Sequence, residues 1–170
     1  MTGYKQPVSV LVVIYTAGPA AEPATGSLDS LKTGLKVLLL ERADHPGYWQ
    51  SVTGSREQGE ALAETAIREV REETGLDATQ YRLTDWQLQN VYEIYPHWRF
   101  RYPPDITHNT EHVFGLELPQ AVPIQLAPRE HLNFQWLAWQ DAAEAVFSPS
   151  NRGAILQLPE HVRSNVEMSK

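Results

Sequence analysis

The chemistry-bearing residues of this 170-residue chain concentrate between Gly54 and Leu76, where Glu60, Arg68, Glu69, Glu72 and Glu73 stand on one predicted helix. Leu62, Ala63, Ala66, Ile67 and Val70 recur at three- and four-residue spacing, an apolar stripe that predicts a helix over Glu60 to Thr74. Gly75 follows where a helix stop belongs. With Glu60 as origin and about 100° per residue, Glu69, Glu72 and Glu73 fall near 180°, 120° and 220°, on one face beside the apolar stripe. Like charges three and four residues apart each destabilise a helix by a few tenths of a kcal/mol, so the clustering needs a reward. A hard divalent cation supplies one, because Mg²⁺ takes carboxylate oxygens and water and bridges to phosphates. A solvated face balanced by Arg68 and Arg71 is the alternative that three glutamates alone leave open.

The wider spacing decides between them. From Gly54 there are five residues to Glu60 and seven more to Arg68, followed by Glu69, Val70, Arg71, Glu72, Glu73, Thr74, Gly75 and Leu76. This segment resembles the Nudix box, and every fixed position of that motif is filled. The resemblance implies hydrolysis of a diphosphate linkage by water attacking phosphorus, with Glu69, Glu72 and Glu73 as metal ligands and catalytic residues. It implies that Arg68 orients these carboxylates and that Glu60 pairs with such an arginine at the helix start. The cofactor implied is Mg²⁺, with Mn²⁺ as its substitute.

Outside the box, further stretches resemble the dihydroneopterin triphosphate pyrophosphatases of bacterial folate synthesis, also described as dATP pyrophosphohydrolases. They are Lys5 to Tyr15, Trp49 to Ser55, His97 to Glu111, Glu130-His131-Leu132 and Ser150-Asn151-Arg152. By this resemblance Lys5, Arg42 and Thr53 contact substrate, Ser148 and Asn151 lie near it, and Glu130 completes the metal site. Arg99 and Arg101 alternate along a segment read as extended, where they offer local cations to phosphates. Tyr92, Tyr95, Trp98, Phe100 and Tyr102 offer flat surfaces for a pterin or purine. His131 reads as a structural or exposed histidine, with a general base as the sharper alternative. The reaction implied is Mg²⁺-dependent conversion of 7,8-dihydroneopterin triphosphate to the monophosphate and pyrophosphate. Hydrolysis of dATP or oxidised purine nucleotides is the alternative within the same chemistry. A non-catalytic, nucleotide-binding Nudix module is the alternative of another class, and the retained carboxylates argue against it.

The elements that must position these groups are legible as pattern. Val8 to Tyr15 is apolar on both faces and reads as a central strand, with further strands at Leu35 to Glu41, Leu83 to Glu93, Thr110 to Leu118 and Asn133 to Ala138. Trp49 to Thr53 reads as a short extended piece. Asp141 is read as the cap of a helix through Phe147, and Ser150 or Asn151 as the cap of one running to Leu158. The Ala17 to Gly34 insert, rich in Ala, Pro, Gly and Ser, reads as a long loop, and residues 160–170 as a polar, fraying tail. The order implies an α+β fold, an α/β/α sandwich with a mixed sheet flanked by helices, in one domain over residues 1–170.

Composition sets outer limits. The net charge is −7, against a general nucleic-acid binder, so any phosphate site must carry its own cations. The absence of cysteine excludes disulfides, zinc–thiolate sites and thiol nucleophiles. No apolar run is long enough for a membrane-spanning helix and no signal peptide is evident, so the expectation is a cytoplasmic enzyme acting on a small-molecule triphosphate. Monomer and homodimer are both compatible with the sequence.

Overall fold

The strand Val8–Thr16 (β1) carries apolar side chains on both faces, and this places it at the centre of the sheet. The computed structural model describes residues 3–18 and 34–168. Val10 to Tyr15 are all within 2% of complete burial. β1 runs antiparallel to Lys36–Arg42 (β2) and to Val52–Ser55 (β4), and parallel to His108–Leu118 (β6). Trp49–Gln50 (β3) and His131–Ala138 (β7) pair with β2, and Arg82–Glu93 (β5) pairs with β6. The described residues thus form a seven-stranded mixed sheet.

Side chains alternate across a strand, so one sheet supplies two cores. Leu11, Val13 and Tyr15 join Val37 and Leu39 beneath the C-terminal helices Trp139–Ala145 (α2), Pro149–Leu156 (α3) and Leu158–Met168 (α4). Val10, Val12 and Ile14 face the other way and, with Leu38 and Leu40, receive Ala66 and Val70 of Leu62–Thr74 (α1). Each such aliphatic side chain, fully buried, contributes about 1.5–3 kcal/mol. The layers are helix, sheet, helix, as the pattern implies.

Several local expectations are corrected. The final stretch is helical through Met168: Pro159 sits in the first turn, where its missing N–H costs nothing, and Leu158 and Val162 are buried. His161 stacks on Trp86 with ring centroids 4.0 Å apart, and Asn165 donates to the Tyr15 hydroxyl at 3.3 Å. The preceding helix starts at Pro149 and is capped by Ser148, whose hydroxyl accepts from the Asn151 N–H. Asn151 spends its side chain elsewhere, and Asp141 lies inside the first turn of α2. Arg99 and Arg101 share no extended face, because Pro96–Arg101 form a 3₁₀ helix opened by the fixed φ of Pro96. The insert expected over residues 17–34 falls largely on 19–33, outside the described residues.

Candidate active site

α1 begins at Leu62, with the Ala61 N–H donating to the Glu64 carboxylate at 3.2 Å, and it ends on Gly75 at φ 76°, where a left-handed residue is needed. Glu60 lies just ahead of this helix and folds back along it. Arg68 donates to both Glu60 oxygens, at 2.7 and 3.0 Å, to Glu69 at 2.8 Å, to Glu72 at 3.3 Å and to the Ser55 carbonyl at 2.9 Å. One guanidinium therefore ties the end of β4 to three carboxylates. Arg68 also holds the Glu60 carboxyl down to about 2, with smaller help from the Glu57 N–H and the Thr65 hydroxyl. Gly54 is required because the Glu69 carboxyl passes directly over it, inside the space a Cβ would fill.

The three box glutamates differ sharply in environment. Glu73 is 1% exposed, Glu69 is 12% exposed, and Glu72 is 52% exposed at its side chain. Burial raises the Glu69 carboxyl to about 7; Arg68 opposes that rise, while Glu72 and Glu130 add to it. Burial, reinforced by Glu69 and Glu130, pushes Glu73 well above the ordinary carboxylate range, although the Thr53 backbone N–H donates to it. Glu73 Oε1 lies 3.3 Å from His131 Nε2, and Glu73 Oε2 has no hydrogen-bond partner. His131 is buried rather than exposed, and desolvation lowers it to about 4, so its ring is neutral. One atom each from Glu73, Glu130 and His131 lie within 4.8 Å of one another. The buried Glu73 and the largely buried Glu69 both have raised carboxyls, and Glu73 Oε2 is orphaned; this suits a hard divalent cation whose charge would offset the repulsion.

A cavity of about 660 Å³ adjoins the carboxylates, within the range that encloses a small organic ligand. Lys5, Arg42, Thr53, Tyr92, Tyr95, Arg101 and Ser148 all line it, together with Glu69, Glu72, Glu73 and Glu130. Arg42 is gripped by Asp44 through two hydrogen bonds of 2.7 Å, and Arg101 reaches the same carboxylate at 3.1 Å. The two cations hold Asp44 down to about 2, with Arg42 the larger influence. Arg42 also donates to Gln50 at 2.9 Å and lies 4.5 Å over the Trp98 ring. Lys5 is lowered by burial and by Arg101. Trp98 and Tyr102 line the cavity as well, whereas Arg99 and the 73% exposed Phe100 do not.

Asp44, Glu111 and the His131 contact were missed from the sequence. A carboxylate two residues after a cavity arginine was the signal for Asp44. For Glu111 the signal was parity: it shares a strand face with the buried Val113, so its side chain points inward.

Comparisons with known proteins agree with this geometry. A family profile described as NUDIX domain matches residues 22–158. The dihydroneopterin triphosphate diphosphatase of Escherichia coli (strain K12) is 44% identical over 156 residues, covering 91% of this chain and 93% of the relative. The same-named protein of Haemophilus influenzae is 40% identical over 158 residues, covering 91% and 89%. The solved structure of the E. coli dihydroneopterin triphosphate pyrophosphohydrolase superposes with a TM-score of 0.76 at 43% identity, covering 93% of this chain and 98% of that one.

Proposed function

The chain belongs to the NUDIX family of hydrolases, and from that premise we propose that it cleaves dihydroneopterin triphosphate between the α- and β-phosphates. Water adds to phosphorus, the bridging P–O bond breaks, and the products are dihydroneopterin monophosphate and pyrophosphate. This is a step of folate biosynthesis, carried out by one catalytic domain. The observation that carries the reading is the continuous cavity joining the carboxylate cluster to Lys5, Arg42 and Arg101 and to the rings of Tyr92, Tyr95 and Trp98.

Glu69, Glu73 and Glu130 would hold the divalent metal, with Glu72 extending the set toward solvent; Mg²⁺ fits these oxygens, and Mn²⁺ is its natural substitute. When bound, the metal neutralises charge on the phosphates and lowers the pKa of coordinated water. Arg68 fixes the carboxylates, and the neutral His131 ring lies against Glu73, with Nε2 3.3 Å from its Oε1. Lys5, Arg42 and Arg101 bind the phosphate chain, and Asp44 keeps both guanidiniums in place before substrate arrives. Thr53 contributes its backbone N–H to Glu73, and Ser148 shapes the wall opposite.

Parallel assays on dihydroneopterin triphosphate and dATP test the substrate. We expect kcat/KM for the pterin triphosphate to be at least tenfold higher. A value for dATP tenfold above it would replace the reading with a purine nucleotide pyrophosphohydrolase.

A further inference from the structure

Glu111 has no role in the chemistry described so far, yet it occupies an unfavourable position. It is 4% exposed, it lines the cavity, and its Oε1 has no hydrogen-bond partner among the described residues. Burial raises its carboxyl to about 7, opposed only by the Ser150 hydroxyl and the Asn90 amide. A carboxyl buried without a full set of partners destabilises a fold, so packing alone would favour an apolar residue here. A second acceptor is in the same condition. Asn109, two residues earlier on the same strand face, donates to the Ser9 hydroxyl at 2.7 Å and to the Tyr92 hydroxyl at 3.1 Å, while its own buried Oδ1 has no partner among the described residues. This end of the cavity is therefore rich in oxygen acceptors and short of donors, the complement of a ligand that brings N–H groups.

The distance fits the far end of a triphosphate ligand. Ser55 pairs with Ser9, and Ser9 with Glu111, so Glu111 lies two strand spacings, roughly 10 Å, across the sheet from the strand whose Gly54 underlies the Glu69 carboxyl. Phosphates held at the carboxylates would leave the ring near Tyr92 and Glu111, both of which line the cavity. Pterin and adenine rings differ along most of their polar edge, since pterin carries a carbonyl and a ring N–H where adenine has an unprotonated ring nitrogen. Both nonetheless carry an exocyclic amino group, which donates N–H bonds. A carboxyl oxygen accepts from that group whether or not the other oxygen holds a proton. One buried acceptor thus serves both rings, and a ring without the amino group leaves it unpaired.

We propose that Glu111 is the specificity residue that receives the exocyclic amino group of the substrate ring, admitting amino-bearing pterin and purine rings alike and rejecting rings that lack the group. This rests on the proposed function for the orientation of the ligand, with phosphates at Glu69, Glu73 and Glu130. The amino N–H satisfies the idle Oε1, while the Ser150 and Asn90 contacts hold the carboxyl in place.

The experiment assays wild type and Glu111→Leu on dihydroneopterin triphosphate, on dATP, and on purine 2′-deoxyriboside triphosphate, which is dATP without its amino group. Leucine has a similar volume, suits the burial and removes both acceptor oxygens. Wild type should cut dATP at least about tenfold more efficiently than the desamino analogue, because the analogue strands a buried acceptor. In Glu111→Leu, kcat/KM should fall about 10- to 100-fold for the pterin triphosphate and dATP together, and the dATP-to-analogue ratio should collapse to near one. A folded variant that keeps the wild-type ratio within threefold overturns the proposal. Should Glu111→Leu fail to fold, wild type decides alone: equal kcat/KM for dATP and its desamino analogue overturns the proposal. The two readings fail separately. Wild type favouring dATP tenfold over the pterin triphosphate defeats the substrate assignment and leaves Glu111 its role. A preserved pterin preference with an unmoved ratio in Glu111→Leu defeats only the role of Glu111.

Discussion

Replacing Glu69 with glutamine should make the metal-free protein more stable while disabling it. Glu69 is nearly buried, accepts from Arg68 at 2.8 Å, and sits beside Glu72, Glu73 and Glu130. Its carboxyl rises from the ordinary 4.5 to about 7, chiefly through burial. Because the folded-state value is raised, the stability linked to this proton is complete below pH 4.5 and is lost as pH climbs through about 7. At pH 8 the loss amounts to about 3 kcal/mol. Glutamine does not titrate, and the value of about 7 already includes the opposing pull of Arg68. The net gain at pH 8 is therefore roughly 3 kcal/mol, which corresponds to about 6–12 °C in Tm for a chain of this size. Thermal melts in EDTA at pH 8 and pH 4, repeated with saturating Mg²⁺, read the effect. Glu69→Gln should melt above wild type at pH 8 without metal and near it at pH 4. Mg²⁺ should raise the wild-type Tm and barely move the variant, whose turnover falls at least about 100-fold. Equal melting of the two proteins in EDTA at pH 8, or equal stabilisation by Mg²⁺, would refute the reasoning.

Three other substitutions probe the scaffold of the site. Gly54→Ala places a Cβ in the space of the Glu69 carboxyl and should cost about 1–3 kcal/mol in urea denaturation together with most of the turnover. Asp44→Asn removes the carboxylate that orients Arg42 and Arg101, and should raise KM about tenfold with kcat changed less than threefold; steady-state kinetics separates the two. Asn151→Ala strips partners from the buried Ser51 N–H and hydroxyl, at 2.8 and 3.0 Å, and should lower stability by about 2–3 kcal/mol in chemical denaturation.

The features legible in the sequence were those carried by local periodicity and exact spacing. The all-apolar Val8 to Tyr15 run could only be a central strand, and the stripe from Leu62 to Val70 could only be a helix laid on the sheet. Glu69 and Glu73 were identifiable because four residues return a side chain to the same helix face. Contacts between distant segments were less accessible. No local pattern reveals that Asn151 bonds Ser51, a hundred residues away, or that Asp44 bridges Arg42 and Arg101. The helix ends slipped for a related reason: Ser148, Ser150 and Asn151 are all competent caps, and Pro149 at the first helical position chose Ser148. The tail from residue 160 looked too polar to order, because its polar His161 and Asn165 find partners only once Trp86 and Tyr15 are brought beneath them.

The central claim is that the carboxylate cluster cuts a pterin triphosphate at its α–β linkage. Product analysis of dihydroneopterin triphosphate turned over in ¹⁸O water at saturating Mg²⁺, by wild type and by Glu73→Gln, tests it most directly. The account predicts equimolar monophosphate and pyrophosphate from wild type, with one labelled oxygen in a single product, and only a trace from Glu73→Gln. Release of orthophosphate, or wild-type turnover by Glu73→Gln, would contradict it.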